Sequence, residues 1–440
     1  MKNVFIDQIL SQRERFAAPA CPRATMPELG LNKVHTIVGP RRAGKSSVLK
    51  LSIKQLLTTG VGWDKICYLS LEDERLRAEP FAPDLILQAF AEVYPNNPLL
   101  EGVHFMFDEV QYLQNWEPFV NRVYEQVSKK VFITGSNSKM LHTEVAGVLR
   151  GRSLPTEILP LSFSEYLVWK GIPFQAAGPG RAPVIAAFKS FMLHGGFPES
   201  LEIQEHNRNK LMQEYFNAVL FLDIIDQQQP ANYGYLRYLF HRIAANTGKP
   251  TGLRKIFLEL KSRGYAITQG SIYTMADAAE SVYLFKRITR FDHSAIKREN
   301  AEKKCYFIDN GMLKALNSSF SDNLGALFEN LVFWELYRQF GNIYTTGIYY
   351  YKDQSHECDF ILYQDGGQAL PVQACVDVSR DETLQREVRG LVKACDAVQA
   401  KTGVIVTLEE EKTFRAGHVQ IHILPAWKWC GSPVDLRSLT

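Results

Sequence analysis

Residues 38–50 read VGPRRAGKSSVLK. Within them Gly39, Pro40, Arg41, Arg42, Ala43, Gly44, Lys45 and Ser46 fit the spacing G-x-x-x-x-G-K-S/T at every position, and Ser47 follows. That pattern makes a backbone cradle for phosphate. Glycine at 39 and 44 permits tight turns, so that successive amide N–H groups converge on one anion. A helix beginning at the lysine adds partial positive charge. Lys45 is then placed to reach the β- and γ-phosphates of ATP, Ser46 to ligate Mg2+, and Ser47 to line the loop.

Such a cradle needs an acid to hold the metal. The run VHFMFDEV, residues 103–110, is apolar until Asp108-Glu109. Asp108 is placed to hold Mg2+ through water. Glu109 is placed to polarise an attacking water, the step that separates ATP hydrolysis from nucleotide binding alone. The plain alternative is a helix start, where acidic residues are favoured. In VFITGSNS, residues 131–138, Ser136 or Asn137 could bond the γ-phosphate or the water, or cap a helix. Arg150 and Arg152, in GVLRGRSL, are candidates for an arginine that stabilises developing phosphoryl charge, from this chain or a neighbouring one. A surface salt bridge is the alternative.

These residues must be positioned by strand ends. VHTIV, ICYLSL, VHFMF and VFITG, all within the first 160 residues, are rich in β-branched or aromatic residues and separated by helix-length segments. That alternation predicts a parallel sheet covered by helices. The stretch SSVLKLSIKQLL after the cradle predicts the helix it needs.

The chain of 440 residues exceeds one core, and its 46% hydrophobic and 22% charged residues exclude a largely disordered protein. A net charge of +3 neither demands nor forbids nucleic acid. No apolar run approaches bilayer-spanning length, and MKNVFIDQILSQRERF has no signal-peptide core. The seven cysteines, with no C-x-x-C, predict buried free thiols in a reducing, cytoplasmic setting.

The ordered set GPRRAGKSS, YLSLEDER, FDEVQYLQNW, ITGSNS, LRGRSLPTEILPLSFSEYL and GGFPES resembles a family of prokaryotic AAA-type P-loop ATPases with a C-terminal, restriction-endonuclease-like domain of uncharacterised function. The resemblance covers nearly the whole chain. It implies an α/β multidomain protein: an AAA-type core with a parallel sheet at 1–160, a helical lid at 161–230, a winged helix at 231–310 and a nuclease-like α/β domain at 320–440, with a linker near 310–322. ATP and Mg2+ are the implied cofactors. The resemblance also draws attention to Glu72, Asp73 and Arg75 as a polar group near the ATP site.

Residues 235–280 themselves read as three helices, and YLFKRITRF and KKCYFID as a following hairpin. The third helix offers Ser271, Tyr273 and Thr274 but no lysine or arginine for base readout. Lys286, Arg287, Arg290, Lys297, Arg298, Lys303 and Lys304 are the candidate phosphate contacts if this module binds DNA. A module for protein contacts is the alternative.

For the nuclease-like domain, the resemblance implies a metal held by a helical acid and a strand acid. Glu329 and Asp359 fit those places. Where the family pattern has Glu-x-Lys, this chain has Gln373-Ala374-Cys375. Gln373 offers a neutral oxygen where Mg2+ favours a carboxylate, and Cys375 cannot act as an ammonium. Glu357, on the strand face of Asp359, could restore a ligand. The expected reading is an ATP-hydrolysing protein associated with DNA, with an inactive nuclease-like domain. The alternatives are a nucleotide-dependent switch that binds a protein partner, and an ATP-regulated nuclease.

Overall fold

The computed structural model describes residues 1–16, 22–76, 80–135, 149, 151–225, 234–317, 323–341, 346–364, 367–432 and 435–439. Residues 1–160 with Ser281–Tyr283 form one compact unit, and Leu161–Glu280 with Leu284–Thr440 form another.

In the first unit the apolar runs pair as one parallel sheet. Val34–Val38 (β1), Ile66–Ser70 (β2), His104–Asp108 (β3), Val131–Gly135 (β4) and Ser153–Glu157 (β5) lie in the order β2-β3-β4-β1-β5. Phe105 and Phe107 of β3 enter a cluster with Phe90, Phe119 and Val120. Met106, between them, enters another with Val48, Leu49 and Ile53 of the helix Lys45–Thr58. Burial on both faces is why the strands read as unbroken apolar runs. Sequence reading misses β5, because SLPTE carries Pro155. A residue without an N–H is tolerated on an edge strand, which β5 is.

The opposite edge, β2, is covered by side chains rather than a strand. From the helix Lys2–Arg15, Gln8 accepts from the Ser70 N–H at 2.9 Å and donates to the Ser70 carbonyl at 3.1 Å. Gln12 donates to the Ile66 carbonyl at 3.2 Å. Two amides thus occupy edge groups that would otherwise invite another strand.

The second unit begins with helices Phe163–Trp169, Arg181–His194 and Glu205–Ala218. Helices Gly234–Ala245, Leu253–Ser262 and Gln269–Ser281 follow. Pro250–Thr251 (β6), between the first two of these, joins the later Phe285–Ile288 (β7) and Lys303–Phe307 (β8) in a small antiparallel sheet of order β6-β8-β7. The helix Leu324–Phe340 is buried around most of its circumference, in keeping with LFENLVFWEL. Beyond it Thr346–Lys352 (β9), Glu357–Gln364 (β10), Ala369–Ala374 (β11), Thr402–Thr407 (β12), Lys412–Ala416 (β13) and Val419–Pro425 (β14) form a mixed sheet, ordered β13-β14-β12-β11-β10-β9. The amphipathic helix Asp381–Val398 buries Leu391, Ala394 and Cys395 against it.

The expected linker needs correction. Residues Asn310–Leu316 are a helix, with Met312, Leu313 and Leu316 buried. Asp309 caps it, accepting from the Gly311 N–H at 2.8 Å and the Met312 N–H at 3.2 Å. Its other oxygen accepts from the Gly196 N–H at 2.7 Å. Within the helix Asn310 donates to the Met192 and Leu327 carbonyls at 2.7 and 2.8 Å, so this part of the segment is packed rather than a linker. Residues 318–322 lie outside those described.

Candidate functional site

The cradle follows β1 and opens the helix Lys45–Thr58. Gly39 has φ +147°, and a Cβ there would lie 1.9 Å from the Ile158 carbonyl oxygen, so only glycine fits. Gly44 has φ +99° and Arg42 φ +63°. Lys45 is almost fully buried, and its Nζ donates to the Gly39 and Pro40 carbonyls, each at 3.1 Å. It lies 3.8 Å from the Glu109 carboxylate.

The sheet order explains how the acids arrive. β4 lies between β1, which carries the cradle, and β3, which ends in Asp108. Thr134 of β4 therefore stands between the two. Its hydroxyl donates to Asp108 Oδ1 at 2.6 Å and accepts the Glu109 N–H at 2.8 Å. Tyr68 of β2 donates to the other Asp108 oxygen at 2.9 Å. Burial raises the Asp108 carboxyl above its ordinary range, and the Glu109 charge adds to this. The Thr134, Ser46 and Tyr68 hydroxyls act in the opposite direction. A buried carboxylate beside a serine hydroxyl is an all-oxygen donor set of the kind Mg2+ takes.

Glu109 sits at φ +55°, ψ +56°, a conformation costly for a residue with a Cβ. The Thr134 hydroxyl helps to hold that turn, and the Glu109 carboxylate accepts from the Gln111 amide. Neither Thr134 nor Tyr68 is singled out by sequence reading, because each is an ordinary strand residue until the strand order is known. Arg23 is also missed. Its guanidinium donates to the Ala43 carbonyl at 2.8 Å and to the Leu159 carbonyl, bracing the cradle from behind. Asp73 accepts from Gln8 and Arg75, and the Arg75 bond is the main reason its carboxyl is lowered to about 2.

Arg152 is placed away from the cradle. It immediately precedes Ser153, which pairs with Val34 at the start of β1, whereas the cradle follows the end of β1. The Arg152 guanidinium meets Glu125 at 2.6 Å and Asn121 at 3.2 Å. A contact with nucleotide at the cradle of its own chain is thereby closed to it. Ser136, Asn137 and Arg150 lie outside the described residues.

In the second unit the cations expected at a nucleic-acid surface are largely engaged. Arg287 bonds Asp277 at 2.5 Å and Glu280 at 2.7 Å. Lys286 lies over the Tyr337 ring, and Arg298 donates to the Asp292 carbonyl at 2.8 Å. The Arg290 backbone bridges Tyr350 of β9, which leaves its guanidinium uncommitted by that pairing, and Lys297 is exposed. Lys304 requires correction as a phosphate contact: its side chain is 1% exposed. Its ammonium bonds Glu329 at 3.1 Å, Glu357 at 2.9 Å and Asp359 at 3.0 Å. The structure therefore brings Glu329 and Asp359 together, as their assignment requires, but around a lysine from β8.

Gln373 lies beside them. Its oxygen accepts from the Asp359 N–H at 3.1 Å and its amide donates to Glu387 at 2.7 Å. Cys375 donates to the Asp377 carbonyl at 3.3 Å, and burial pushes its thiol up to about 11. Among the described residues no group of three or more His, Cys, Asp or Glu is arranged to hold a metal ion, and no helix is long and apolar enough to cross a membrane. The six described cysteines are free thiols, five of them buried.

The parallel sheet, the glycine cradle and the Lys45–Asp108–Glu109 group define the class of the first domain: an AAA-type P-loop ATPase domain. Residues 31–167 match the family model of the AAA domain. Residues 185–323 and 324–429 match two domains of unknown function, DUF8612 and DUF4143. The chain is 29% identical over 411 residues to an uncharacterized protein of Methanocaldococcus jannaschii, covering 90% of this chain and 88% of that protein. It is 27% identical over 345 residues to an uncharacterized protein of Haemophilus influenzae, covering 78% and 83%. Among solved structures it is similar to a Walker-type ATPase of Pyrococcus abyssi, at 14% identity and a TM-score of 0.39, over 70% of this chain and 94% of that one.

Proposed function

We propose that the protein is a Mg2+-dependent ATPase whose nucleotide state controls association with DNA. Residues 161–230 would act as a helical lid and 231–310 as a winged helix, and 320–440 would be a nuclease-like domain without nuclease activity. The observation that carries the ATPase reading is the Thr134 hydroxyl, which binds the carboxylate of Asp108 and the backbone of Glu109 at once. The metal-holding acid and the base are thereby set in one frame, opposite Lys45.

In this reading Ser46 and Asp108 hold Mg2+, which neutralises phosphate charge when bound. Lys45 leaves the Gly39 and Pro40 carbonyls for the β- and γ-phosphates. Glu109 takes the proton of the attacking water. Ser136 or Asn137 senses the γ-phosphate, and Arg150 remains the candidate charge-stabilising arginine of this chain. Arg152 could serve only a neighbouring one.

For DNA, the supporting cations include Lys297, Arg290 and the exposed Arg254, Lys255 and Lys261 of the helix Leu253–Ser262. A protein partner is the second reading. What favours it is the exposed side of the helix Gln269–Ser281, which offers Tyr273, Thr274 and Asp277 and no cation.

The test is ATP hydrolysis by the full chain with and without duplex, single-stranded and branched DNA. Lys45→Ala should lose hydrolysis, and Glu109→Gln should bind ATP without turning it over. Normal turnover in Glu109→Gln would remove Glu109 as the base. Absence of salt-sensitive DNA binding by the wild type would leave the protein-partner switch as the better reading.

A further inference from the structure

The ammonium of Lys304 and the carboxylates around it have no part in the ATPase reading, and they come from three separate elements. Lys304 lies on β8, Glu329 on the helix Leu324–Phe340, and Glu357 and Asp359 on β10. An ammonium has three N–H donors. Here each of the three has a carboxylate oxygen, at 2.9, 3.0 and 3.1 Å.

Further bonds hold each of these carboxylates. Asp359 Oδ2 accepts the Ala374 N–H at 3.1 Å. Glu329 Oε1 also accepts the Tyr306 hydroxyl at 2.7 Å. Glu357 Oε2 meets Lys352 at 3.0 Å. The oxygen of Gln373 is turned onto the backbone N–H of Asp359.

A divalent ion fits this arrangement poorly. Mg2+ requires oxygens at about 2.0–2.1 Å in an octahedron and keeps several waters. Oxygens near 3 Å around a buried nitrogen are those of an ammonium.

We propose that Lys304 is the resident cation of this carboxylate cluster, standing where a divalent metal would otherwise bind, so that the C-terminal domain grips the β7–β8 hairpin in place of a metal ion. The grip is reinforced next to it. The Phe291 N–H donates to the Tyr350 carbonyl at 2.7 Å and the Tyr350 N–H to the Thr289 carbonyl at 3.1 Å, so the chain beyond β7 continues the sheet at β9. The Tyr350 hydroxyl donates to the Glu302 carbonyl at 2.7 Å. The proposal does not depend on the nucleotide site.

The experiment measures Mn2+ binding to the nucleotide-free full chain by electron paramagnetic resonance, in a Ser46→Ala background that weakens metal binding at the cradle. With Lys304 present, no Mn2+ should bind at the cluster. Lys304→Ala removes the cation and opens its space, and should bind one Mn2+ per chain at least tenfold more tightly than the parent. Lys304→Ala/Asp359→Asn should lose that ion. Lys304→Met, which fills the space without charge, should not gain it. If Lys304→Ala is poorly folded, Mn2+ should raise its melting temperature and leave that of the parent unchanged, because a ligand bound only by the folded state stabilises it. Mn2+ bound by the parent and lost in Asp359→Asn would overturn the proposal. So would Lys304→Ala that neither binds Mn2+ nor is stabilised by it.

Discussion

Replacing Thr134 with valine tests the proposed frame of Asp108 and Glu109. The side chains are nearly isosteric, so packing in β4 is kept and the hydroxyl is lost. Two buried bonds disappear: the 2.6 Å donation to Asp108 and the 2.8 Å acceptance from the Glu109 N–H. Removing a partner from a buried polar group costs roughly 1–3 kcal/mol. With Tyr68 still on Asp108, the expected loss of stability is about 2–4 kcal/mol. The larger consequence is catalytic. Outer partners of metal-holding groups typically contribute 10–100-fold to activity or metal affinity, which corresponds to about 1.4–2.7 kcal/mol in the barrier. Thr134→Val should therefore lower kcat by roughly that factor and raise the Mg2+ needed for half-maximal rate, with metal-free ATP affinity little changed. Steady-state ATPase assays over a Mg2+ titration, with Thr134→Ser as the restoring variant, read this directly. A folded Thr134→Val protein with kcat and Mg2+ requirement both at wild-type values would refute the frame.

Further consequences follow from single contacts. Gly39→Ala sets a Cβ against the Ile158 carbonyl at 1.9 Å and should reduce nucleotide affinity more than tenfold in a titration with a fluorescent ATP analogue. Gly44→Ala, whose Cβ would meet nothing nearer than the Arg23 guanidinium at 3.5 Å, should have the smaller effect; equal effects would show that the clash is not decisive. Burial raises the Asp309 carboxyl to about 6, against the backbone N–H groups of Gly196, Met312 and Gly311. An unfolded aspartate titrates near 3.9. The folded chain thus keeps a proton that the unfolded chain releases, so this contribution to stability is full below about pH 4 and is lost as pH rises through about 6, by roughly 3 kcal/mol. Asp309→Asn should remove that slope from denaturation curves collected between those pH values, and an unchanged slope would exclude Asp309 as its source.

Parts of the protein were legible because they are local. Gly39 to Ser47 are contiguous, and a strand before them with a helix after them almost fixes the cradle's backbone. The apolar runs of β1 to β4 were equally plain, since strands buried on both faces carry little polar interruption. β5 was obscured by Pro155, and the helix Asn310–Leu316 by the small polar residues beside it. Arg152 looked equivalent to Arg150 until the pairing of Ser153 with Val34 put it at the opposite end of the sheet from the cradle. Thr134 carries no signal in VFITGSNS, because its role comes from β4 lying between β1 and β3.

The sequence by itself determined the glycine cradle and the Asp108-Glu109 pair at a strand end, since each is a pattern of neighbours along the chain. Only the tertiary structure decided that Thr134 joins the two acids and that Lys304, which reads as one more cation in a basic hairpin, is buried among Glu329, Glu357 and Asp359. The physical reason is that the charge of a lysine is written in the sequence, while its partners are set by which strands and helices converge. Those elements lie tens of residues apart, and no local spacing connects them.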